Sequence, residues 1–448
     1  MSEQIDVVVL FILYLSFFIY IVQYIVTNIK EGWSMVSVFL LFWAIQYLLI
    51  PLSLILNDSV LFLDYKMLDL LVIEHGLDRF YSYSSFAVSF IFISFFFLGV
   101  ISVKKVDMQS YLLKERVITI FSREINLLFA IGLFLALLSF ASLFIYASQF
   151  GGMERAIAAA DAVRSGHGDE FWISKRFIFV YRFIPFSILA IIIYFLLEES
   201  RGFWVKLMLW ISLGVALFSR FSLFKGKQGI IELLLLYLFY LSLKNRKSYL
   251  FHFILFFLGA VFIIPGLEAY LDTGKFVVSD LTNILQAVFD MLVFFNFDQT
   301  ALEFALNKDY DFVYFEGIIS GMRGNLIPLS WMSSMDNNTI YTNTYFFYGR
   351  REAIVPPGII AFGYYNLGIL GVMLVAFFSG VLMKKIEYFF SNLILHSPKF
   401  IIVYAYILTK VFTWVRTGVP KFTFYSTILI VLFITILISY KRLEIENQ

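Results

Sequence analysis

Residues 84–103 read SSFAVSFIFISFFFLGVISV, an apolar run without a charged side chain that is followed at once by Lys104 and Lys105. A helix needs about 20 mostly apolar residues to cross a bilayer, and basic residues at one end mark its cytoplasmic side. The run therefore predicts a membrane-spanning helix. Comparable runs bring the predicted spans to eleven, at residues 6–28, 34–56, 84–103, 124–148, 177–197, 203–219, 229–243, 249–265, 364–383, 400–415 and 422–440.

The composition of the chain is that of a membrane protein. Hydrophobic residues make up 61% and charged residues 15%, whereas a soluble globular protein has about 45–50% and about 25%. The net charge of +2 gives no reason to expect nucleic acid as a partner. The absence of cysteine excludes disulfides, thiol nucleophiles and cysteine-based metal sites. We expect an all-α, polytopic protein that forms a single integral membrane domain over residues 1–448.

Basic residues orient the predicted helices. They cluster after the third, seventh, ninth and last apolar runs, as Lys104, Lys105, Lys114, Arg116 and Arg123, then Lys244, Arg246 and Lys247, then Lys384 and Lys385, and finally Lys441 and Arg442. Because basic loops face the cytoplasm, all four clusters lie there if the N-terminus is outside and the C-terminus inside. Residues 6–28 are expected to remain as a helix, since no basic segment precedes them and no small-residue cleavage site follows.

Three outer loops follow from this topology, at residues 57–83, 149–176 and 265–363. The last is long enough to fold into a cap on the membrane domain. Its apolar run at 284–297, mixed with acidic residues such as Asp298, Glu303 and Glu316, suggests a helix on the membrane surface with Phe and Leu turned inward. Arginines in the outer loops break the usual charge bias, and an anionic ligand at the outer face is the simplest explanation.

The first candidate site lies in the loop after the fourth apolar run. There Gly151-Gly152-Met153-Glu154-Arg155 leads through an alanine-rich stretch, predicted to be helical at 154–163, to Arg164-Ser165-Gly166-His167-Gly168. The glycines after Arg164 would end the helix and let the backbone come close to a ligand. The alternative is a surface helix with two solvated arginines, which is a common arrangement.

The second candidate site is the turn Arg220-Phe221-Ser222-Leu223-Phe224-Lys225-Gly226-Lys227-Gln228-Gly229, directly before an apolar helix. Arg220, Lys225 and Lys227 would stand beside a helix N-terminus, whose free N–H groups and dipole also attract anions. We favour an anion-binding turn. The alternative is that the lysines only extend along the membrane surface to reach water.

The third candidate site begins with Tyr345-Phe346-Phe347-Tyr348-Gly349-Arg350-Arg351-Glu352 and runs into Pro356-Pro357-Gly358. The rings of Tyr345 and Tyr348 are suited to stack on sugars, and the paired arginines can each hold phosphate oxygens with two hydrogen bonds. Arg323-Gly324 and Arg416-Thr417-Gly418 are expected to converge on the same space. The alternative for the tyrosines is an aromatic belt at the membrane interface.

Several familiar motifs are missing from the sequence. It has no Walker A loop and no Gly-x-Ser-x-Gly elbow, and its four histidines have no metal-ligand spacing, so no metal site is predicted. Asp309-Tyr310-Asp311 has the spacing of a metal-binding Asp-x-Asp motif, but such a triplet often arises by chance. His167 is a candidate general base, although a lone loop histidine is usually just solvated. Within the predicted spans, Glu232 and Lys410 are charges that are costly unless paired.

These features resemble the Wzy-type O-antigen polymerases, which join oligosaccharide repeat units. The resemblance rests on the many-helix layout with one long outer loop late in the chain. It rests also on an arginine that is followed by ten residues and a glycine in an outer loop, here Arg155 and Gly166. The basic turn at 220–229 and the segment from Pro356 to Gly371 fit as well. The resemblance covers most of the chain, through short motifs.

The long outer loop departs from the family pattern. A second arginine–glycine pair is expected there, but at the glycine position Arg323 is followed by Ser334, Arg350 by Ala361 and Arg351 by Phe362. The nearest glycine, Gly363, comes one or two residues late for the paired arginines. O-antigen ligases share the architecture, so a ligase stays open, as does a flippase or transporter for the same lipid-linked sugars.

The resemblance implies a GT-C-like helical bundle in the bacterial inner membrane, with the N-terminus and the active site in the periplasm and the C-terminus in the cytoplasm. The enzyme would transfer the growing glycan from undecaprenyl pyrophosphate onto the terminal sugar of a new undecaprenyl-pyrophosphate-linked unit, without a metal or other cofactor. The implied partners are these lipid-linked oligosaccharides, membrane lipids and a chain-length regulator of the polysaccharide co-polymerase type, but no nucleic acid.

The resemblance also implies roles for the residues of the three candidate sites. Catalytic roles fall to Arg155, Arg323, Arg351, Glu316, Glu352 and His167, of which the last three are candidates for the general base. The pyrophosphate and sugars would be bound by Arg164, Arg220, Lys225, Lys227, Arg350, Arg416, Gly166, Tyr345 and Tyr348. Arginines that meet the negative charge of the leaving pyrophosphate lower the barrier, each contributing about 3–4 kcal/mol when well placed.

Overall fold

The structure is a computed structural model. It describes residues 2–30, 32–57, 80–105, 111–120, 123–160, 171, 173–174, 176–197, 202–223, 227–255, 259, 297–315, 339–348, 355–419 and 426–444.

Most of the described chain is helical. The helices are α1 (Ser2–Asn28), α2 (Met35–Leu56), α3 (Tyr83–Ser102), α4 (Leu127–Ser148), α5 (Met153–Ala158), α6 (Phe186–Leu196), α7 (Phe203–Phe218), α8 (Lys227–Asn245), α9 (Phe297–Asn307), α10 (Thr339–Tyr348), α11 (Gly358–His396), α12 (Ile401–Thr417) and α13 (Thr427–Ser439). A π-helical turn, Ile45–Leu49, lies within α2, and a second one, Ser219–Leu223, follows α7. A 3₁₀ helix, Ile178–Phe183, precedes α6.

The long apolar helices are those of a membrane-embedded protein. In the described part of the chain, seven helical segments are long and apolar enough to cross a bilayer: Asp6–Asn28, Met35–Leu56, Tyr83–Ser102, Leu127–Ser148, Phe179–Leu196, Gly358–His396 and Pro398–Thr417. Helices α7 and α13 are shorter apolar helices. Most of the predicted run at 249–265 lies outside the described residues. The count of eleven spans therefore stays a prediction.

The chain forms two compact units. The first unit consists of Met1–Lys105, Leu241–Glu387 and Leu408–Tyr425, and the second of Val106–Tyr240, Tyr388–Ile407 and Ser426–Gln448. Helices α8, α11 and α12 each contribute residues to both units.

Two helices of the first unit cross with their backbones in contact. A Cβ atom added at Gly99 of α3 would lie 2.1 Å from the carbonyl oxygen of Phe377, and one added at Gly380 of α11 would lie 2.1 Å from that of Phe96. Each of the two helices therefore has a glycine at the point where the backbone of the other helix comes nearest. Small residues allow this close approach, which is how helices commonly pack within a membrane.

Helix α11 is broken near its start and folds back on itself. Leu367 leaves helical geometry, and Gly368 has a φ of +57°, a left-handed conformation that favours glycine. A Cβ at Gly371 would lie 2.1 Å from the carbonyl oxygen of Gly363, although residues eight apart in a straight helix are separated by about 12 Å. Residues 358–366 thus form a short arm against the long arm. The sequence predicted one helix at 364–383. The helix instead begins at Gly358, and it is interrupted at Leu367 and Gly368.

Parts of the predicted outer loop, residues 265–363, are packed onto this short arm. The single hydroxyl proton of Tyr365 is shared between two acceptors, the carbonyl oxygen of Ala301 on α9 (3.3 Å) and Oδ1 of Asn343 on α10 (3.1 Å). The backbone N–H of Val313 donates to the carbonyl oxygen of Tyr365 (3.0 Å). The described segments of the loop therefore belong to the body of the first unit.

The second unit combines packed helices with two small sheets. Helix α4 packs against α6 and α7, where Gly132 faces Ile193 and Met208 at distances that leave no room for a Cβ atom. The strands are β1 (Tyr111–Glu115), β2 (Val117–Ile120), β3 (Arg123–Asn126) and β4 (Tyr440–Glu444). β1 pairs with β4 and β2 with β3, each antiparallel. The predicted all-α class is thus correct for the helical body but not for these strands.

The β1–β4 pairing joins two of the basic clusters used to predict the topology. Lys114 of β1 lies opposite Lys441 of β4. Lys399 also forms an ion pair with Glu115 (2.7 Å). The pairing brings residues of the two clusters next to each other, and their position relative to the membrane stays a prediction.

Candidate functional site

Helix α9 buries a group of polar side chains inside the first unit. Asp298 and Glu303 are 2% and 1% exposed, and Gln299 and Thr300 are fully buried. Such side chains are rarely buried without a structural or functional reason. Helix α9 is therefore enclosed by protein through polar as well as apolar side chains. The surface helix predicted at 284–297 lies outside the described residues apart from Phe297, so it stays a prediction.

Glu303 is held by hydrogen bonds on both carboxyl oxygens. The hydroxyl of Ser82 donates to Oε1 and Oε2 (3.1 Å each), Nε2 of Gln299 donates to Oε1 (3.4 Å), and Nδ2 of Asn307 donates to Oε2 (3.4 Å). Burial raises the pKa of Glu303, and the hydrogen bonds around it act in the opposite direction. Ser82 begins α3 as its N-cap residue. Glu303 therefore ties α9 to α3 as a buried carboxyl whose oxygens are satisfied.

Asp298 lies where α9, the π-helical turn of α2 and the start of α11 meet. A Cβ atom added at Gly358 would lie 2.9 Å from Cβ of Asp298 and 2.5 Å from the hydroxyl oxygen of Tyr47. The backbone N–H of Ile360 donates to that hydroxyl oxygen (3.4 Å). Gly358 has a φ of +74°, so glycine is favoured here by its backbone conformation and also by the space available.

The carboxyl of Asp298 lacks the partners that Glu303 has. No described residue forms a hydrogen bond with its buried Oδ2 atom. Burial raises the pKa of Asp298 well above its ordinary value, and the positive charge of Arg416 opposes that rise. A buried carboxyl oxygen without a hydrogen bond is unfavourable. Oε1 of Gln299 and Oγ1 of Thr300, on the same helix, also lack a hydrogen bond, and Oδ2 of Asp298 is the carboxyl oxygen among these atoms.

Arg416 approaches the same place from the end of α12. Gly418, just after that helix, has a φ of +63°, and a Cβ atom there would lie 2.7 Å from the carbonyl oxygen of Gly358. Arg416 is half-buried and lies two residues before Gly418, which contacts Gly358 at the start of α11. The segment 416–418 thus contacts Gly358 of the Pro-Pro-Gly turn. Its expected convergence with Arg323 and the paired arginines involves residues outside the described part of the chain and stays a prediction.

The first and second candidate sites of the sequence are brought together in the second unit. Ala156 and Ala159, on and just after α5, share one buried apolar cluster with Leu223 of the π-helical turn that carries Arg220. Arg155 is exposed on α5, and its guanidinium lies beside Gly151. Arg220 is half-buried. These two arginines therefore belong to neighbouring elements, which their sequence separation did not show.

The other predicted site residues are placed as follows. Tyr345 is 52% exposed on α10, Tyr348 is the last residue of α10, and Lys227 is the first residue of α8. The remaining ones lie outside the described residues: Arg164, Gly166, His167, Lys225, Glu316, Arg323, Arg350, Arg351 and Glu352. Their roles stay predictions.

Sequence reasoning missed Asp298 and Tyr47 as members of a site. Asp298 was one of several acidic residues in an outer loop, and a tyrosine in an apolar run is ordinary. The unsatisfied carboxyl becomes visible only when burial is known. In the described part of the chain, no group of three or more His, Cys, Asp or Glu side chains is placed to hold a metal ion.

Comparison with family models, with curated proteins and with solved structures gave no match to this chain. The site must therefore be interpreted from its own chemistry.

Proposed function

We propose that this chain is an O-antigen polymerase of the Wzy type. In this proposal it is a glycosyltransferase that moves the growing glycan from undecaprenyl pyrophosphate onto the terminal sugar of a new lipid-linked repeat unit. The proposal includes eleven spans in a GT-C-like bundle, placement in the bacterial inner membrane and a site that faces the periplasm. The support is the resemblance of the outer-loop motifs together with the geometry around Asp298.

The observation that carries the proposal is the meeting of Asp298, the start of α11 and the segment that follows Arg416. Transfer from a lipid pyrophosphate needs positive charge for the leaving group and a group that takes the proton of the attacking hydroxyl. Arg416 can supply charge, and the N-terminus of the short arm of α11 adds its dipole. Asp298 is a carboxyl within electrostatic reach of Arg416. Both requirements are thus represented within one unit.

The basic elements of the second unit support the same proposal. Arg155 and Arg220 stand on packed neighbouring elements, and Arg155 keeps its side chain in solvent, where a ligand can reach it. We assign them to pyrophosphate binding. Arg323, Arg351, Glu316, Glu352 and His167 keep their proposed catalytic roles, and Arg164, Lys225, Lys227, Arg350, Tyr345 and Tyr348 their proposed binding roles. The reaction would need no metal, because guanidinium groups carry the electrostatic work.

The test is the lipopolysaccharide ladder of a host that lacks this gene, with an empty vector or the intact gene. A polymerase predicts a ladder that collapses to core plus one repeat unit without the gene and returns with it. Complete loss of core-linked glycan, with long chains left on undecaprenyl pyrophosphate, would instead identify a ligase.

A transporter or flippase for lipid-linked oligosaccharides is a second candidate, favoured by two observations. Helix α11 is discontinuous, and Lys410 is buried within a membrane-length helix at 8% exposure. Broken helices and intramembrane charges are typical of transporters. Proteoliposomes separate the two functions: movement of lipid-linked units across the bilayer without bond formation would support transport, and chain growth would support the polymerase.

A further inference from the structure

We infer that Asp298 is the general base that accepts the proton of the acceptor sugar hydroxyl. The inference rests on the proposed function, and it assigns a step for which the sequence pointed to Glu316, Glu352 or His167. It starts from the contrast between two carboxyls on the same helix, Asp298 and Glu303.

The two carboxyls differ in what their oxygens still lack. Each oxygen of Glu303 accepts hydrogen bonds from neighbouring side chains, so its surroundings are complete without a ligand. Oδ2 of Asp298 is equally enclosed, yet no described residue donates to it. A hydroxyl group is the donor that such an acceptor oxygen needs. A sugar hydroxyl would therefore satisfy Asp298, whereas Glu303 has no comparable need.

The charged and titratable groups that face Asp298 suit a base. Arg416 stabilises the ionised carboxylate, and Tyr47 stands beside it on α2. Burial acts the other way and keeps the pKa of Asp298 above its ordinary value. A carboxylate with a raised pKa is a stronger proton acceptor than an exposed aspartate. Its 2% exposure also keeps bulk water from competing as the acceptor.

The proposed step balances without a further reactant. The acceptor hydroxyl oxygen forms a bond to the anomeric carbon of the growing glycan while its proton moves to Oδ2 of Asp298. The bond between that carbon and the pyrophosphate oxygen breaks, and undecaprenyl pyrophosphate leaves with the electron pair. Asp298 then gives its proton to an oxygen of the departing pyrophosphate, and the site is ready for the next unit.

The experiment compares Asp298→Asn with Glu303→Gln in the purified full-length protein, reconstituted in lipid and supplied with undecaprenyl-pyrophosphate-linked repeat units. Asn has the shape of Asp but cannot take a proton, so we expect turnover to fall at least about 100-fold. Substrate binding and melting temperature should stay near wild type. Glu303→Gln places an amide among hydrogen-bond donors, so it should lower the melting temperature while the folded fraction keeps wild-type turnover within a few fold.

The pH dependence adds a second measurement. A base must be ionised, so wild-type turnover should fall as pH drops through the raised pKa of Asp298, and Asp298→Glu should retain partial turnover with a shifted profile. Asp298→Asn turnover within about twofold of wild type would overturn the inference and leave the polymerase intact. No chain growth by the wild-type protein, with the gel ladder also unaffected by the gene, would overturn the proposed function itself.

Discussion

Asp298 and Arg155 are charged residues in opposite surroundings. Asp298 is enclosed on α9, and its Oδ2 atom has no hydrogen-bond partner in the described part of the chain. Arg155 is exposed on the short helix α5. A charge in water costs little stability, whereas an enclosed carboxyl without a partner is destabilising. We therefore expect substitutions near Asp298 to change chemistry strongly and substitutions at Arg155 to change it modestly, without affecting folding.

Removal of the charge of Arg416 should have the largest effect. In Arg416→Ala we expect turnover to fall at least about 100-fold, because one well-placed donor contributes about 3–4 kcal/mol to a transition state. The same change should move the pH–rate profile upward, since Arg416 lowers the pKa of Asp298. The measurement is chain growth against pH with purified protein. Lys385→Ala removes an exposed cation of the same unit and serves as the control; equal losses in both variants would contradict the assignment.

A side chain at Gly358 should disturb the same region through the backbone. Gly358→Ala forces a left-handed conformation, which costs about 1–2 kcal/mol, and its Cβ would press on Asp298 and Tyr47. We expect a lower melting temperature and reduced turnover. Gly202→Ala is the matched control, because a Cβ there meets nothing within 4 Å and its φ is not positive. If the two variants melted at the same temperature, the tight contact at Gly358 would be disproved.

Arg155→Lys should have a smaller effect. Lysine keeps the charge but loses the two-pronged grip of the guanidinium, so we expect about a tenfold loss of turnover, near 1.4 kcal/mol. The melting temperature should not change, because the side chain is exposed. Arg176→Lys alters another exposed arginine of the same unit and should leave turnover unchanged. Wild-type chain growth in Arg155→Lys would make Arg155 a solvated bystander.

Chelation should have the smallest effect. Arginine side chains and the N-terminus of α11 are proposed to stabilise the negative charge of the pyrophosphate, so no metal ion is needed for that purpose. EDTA should therefore leave turnover unchanged. The measurement is chain growth by purified protein with EDTA, followed by addition of Mg²⁺. Loss of turnover with EDTA and its return with Mg²⁺ would refute the arginine mechanism.

Much of the helical layout could be predicted because hydropathy is a local property. The predicted run at 84–103 is Tyr83–Ser102 in the structure, and the run at 124–148 is Leu127–Ser148. The break in α11 was missed, since Gly368 resembles any other glycine in an apolar run. Its role depends on the contact between Gly363 and Gly371, which exists only after the chain has turned back.

The candidate site was predictable only in part. The arginine-rich loops stood out because their charges contradict the bias expected for the predicted topology, and Arg155 and Arg416 were proposed as site residues for this reason. Asp298 was not found, because nothing in its type or spacing differs from the solvated acidic residues of an outer loop. Its Oδ2 atom is buried without a hydrogen-bond partner, and this depends on which residues surround it in the fold.

Amino-acid order alone determines that this chain enters a membrane as a set of helices, and it places the basic clusters from which their orientation is predicted. The physical reason is that transfer of apolar residues into a bilayer depends on short stretches of neighbouring residues. Tertiary packing decides which polar groups lose water and which find partners, as in the different fates of Asp298 and Glu303 on one helix. Desolvation and hydrogen bonding depend on segments far apart in the chain, such as residues 47, 358 and 416 around Asp298.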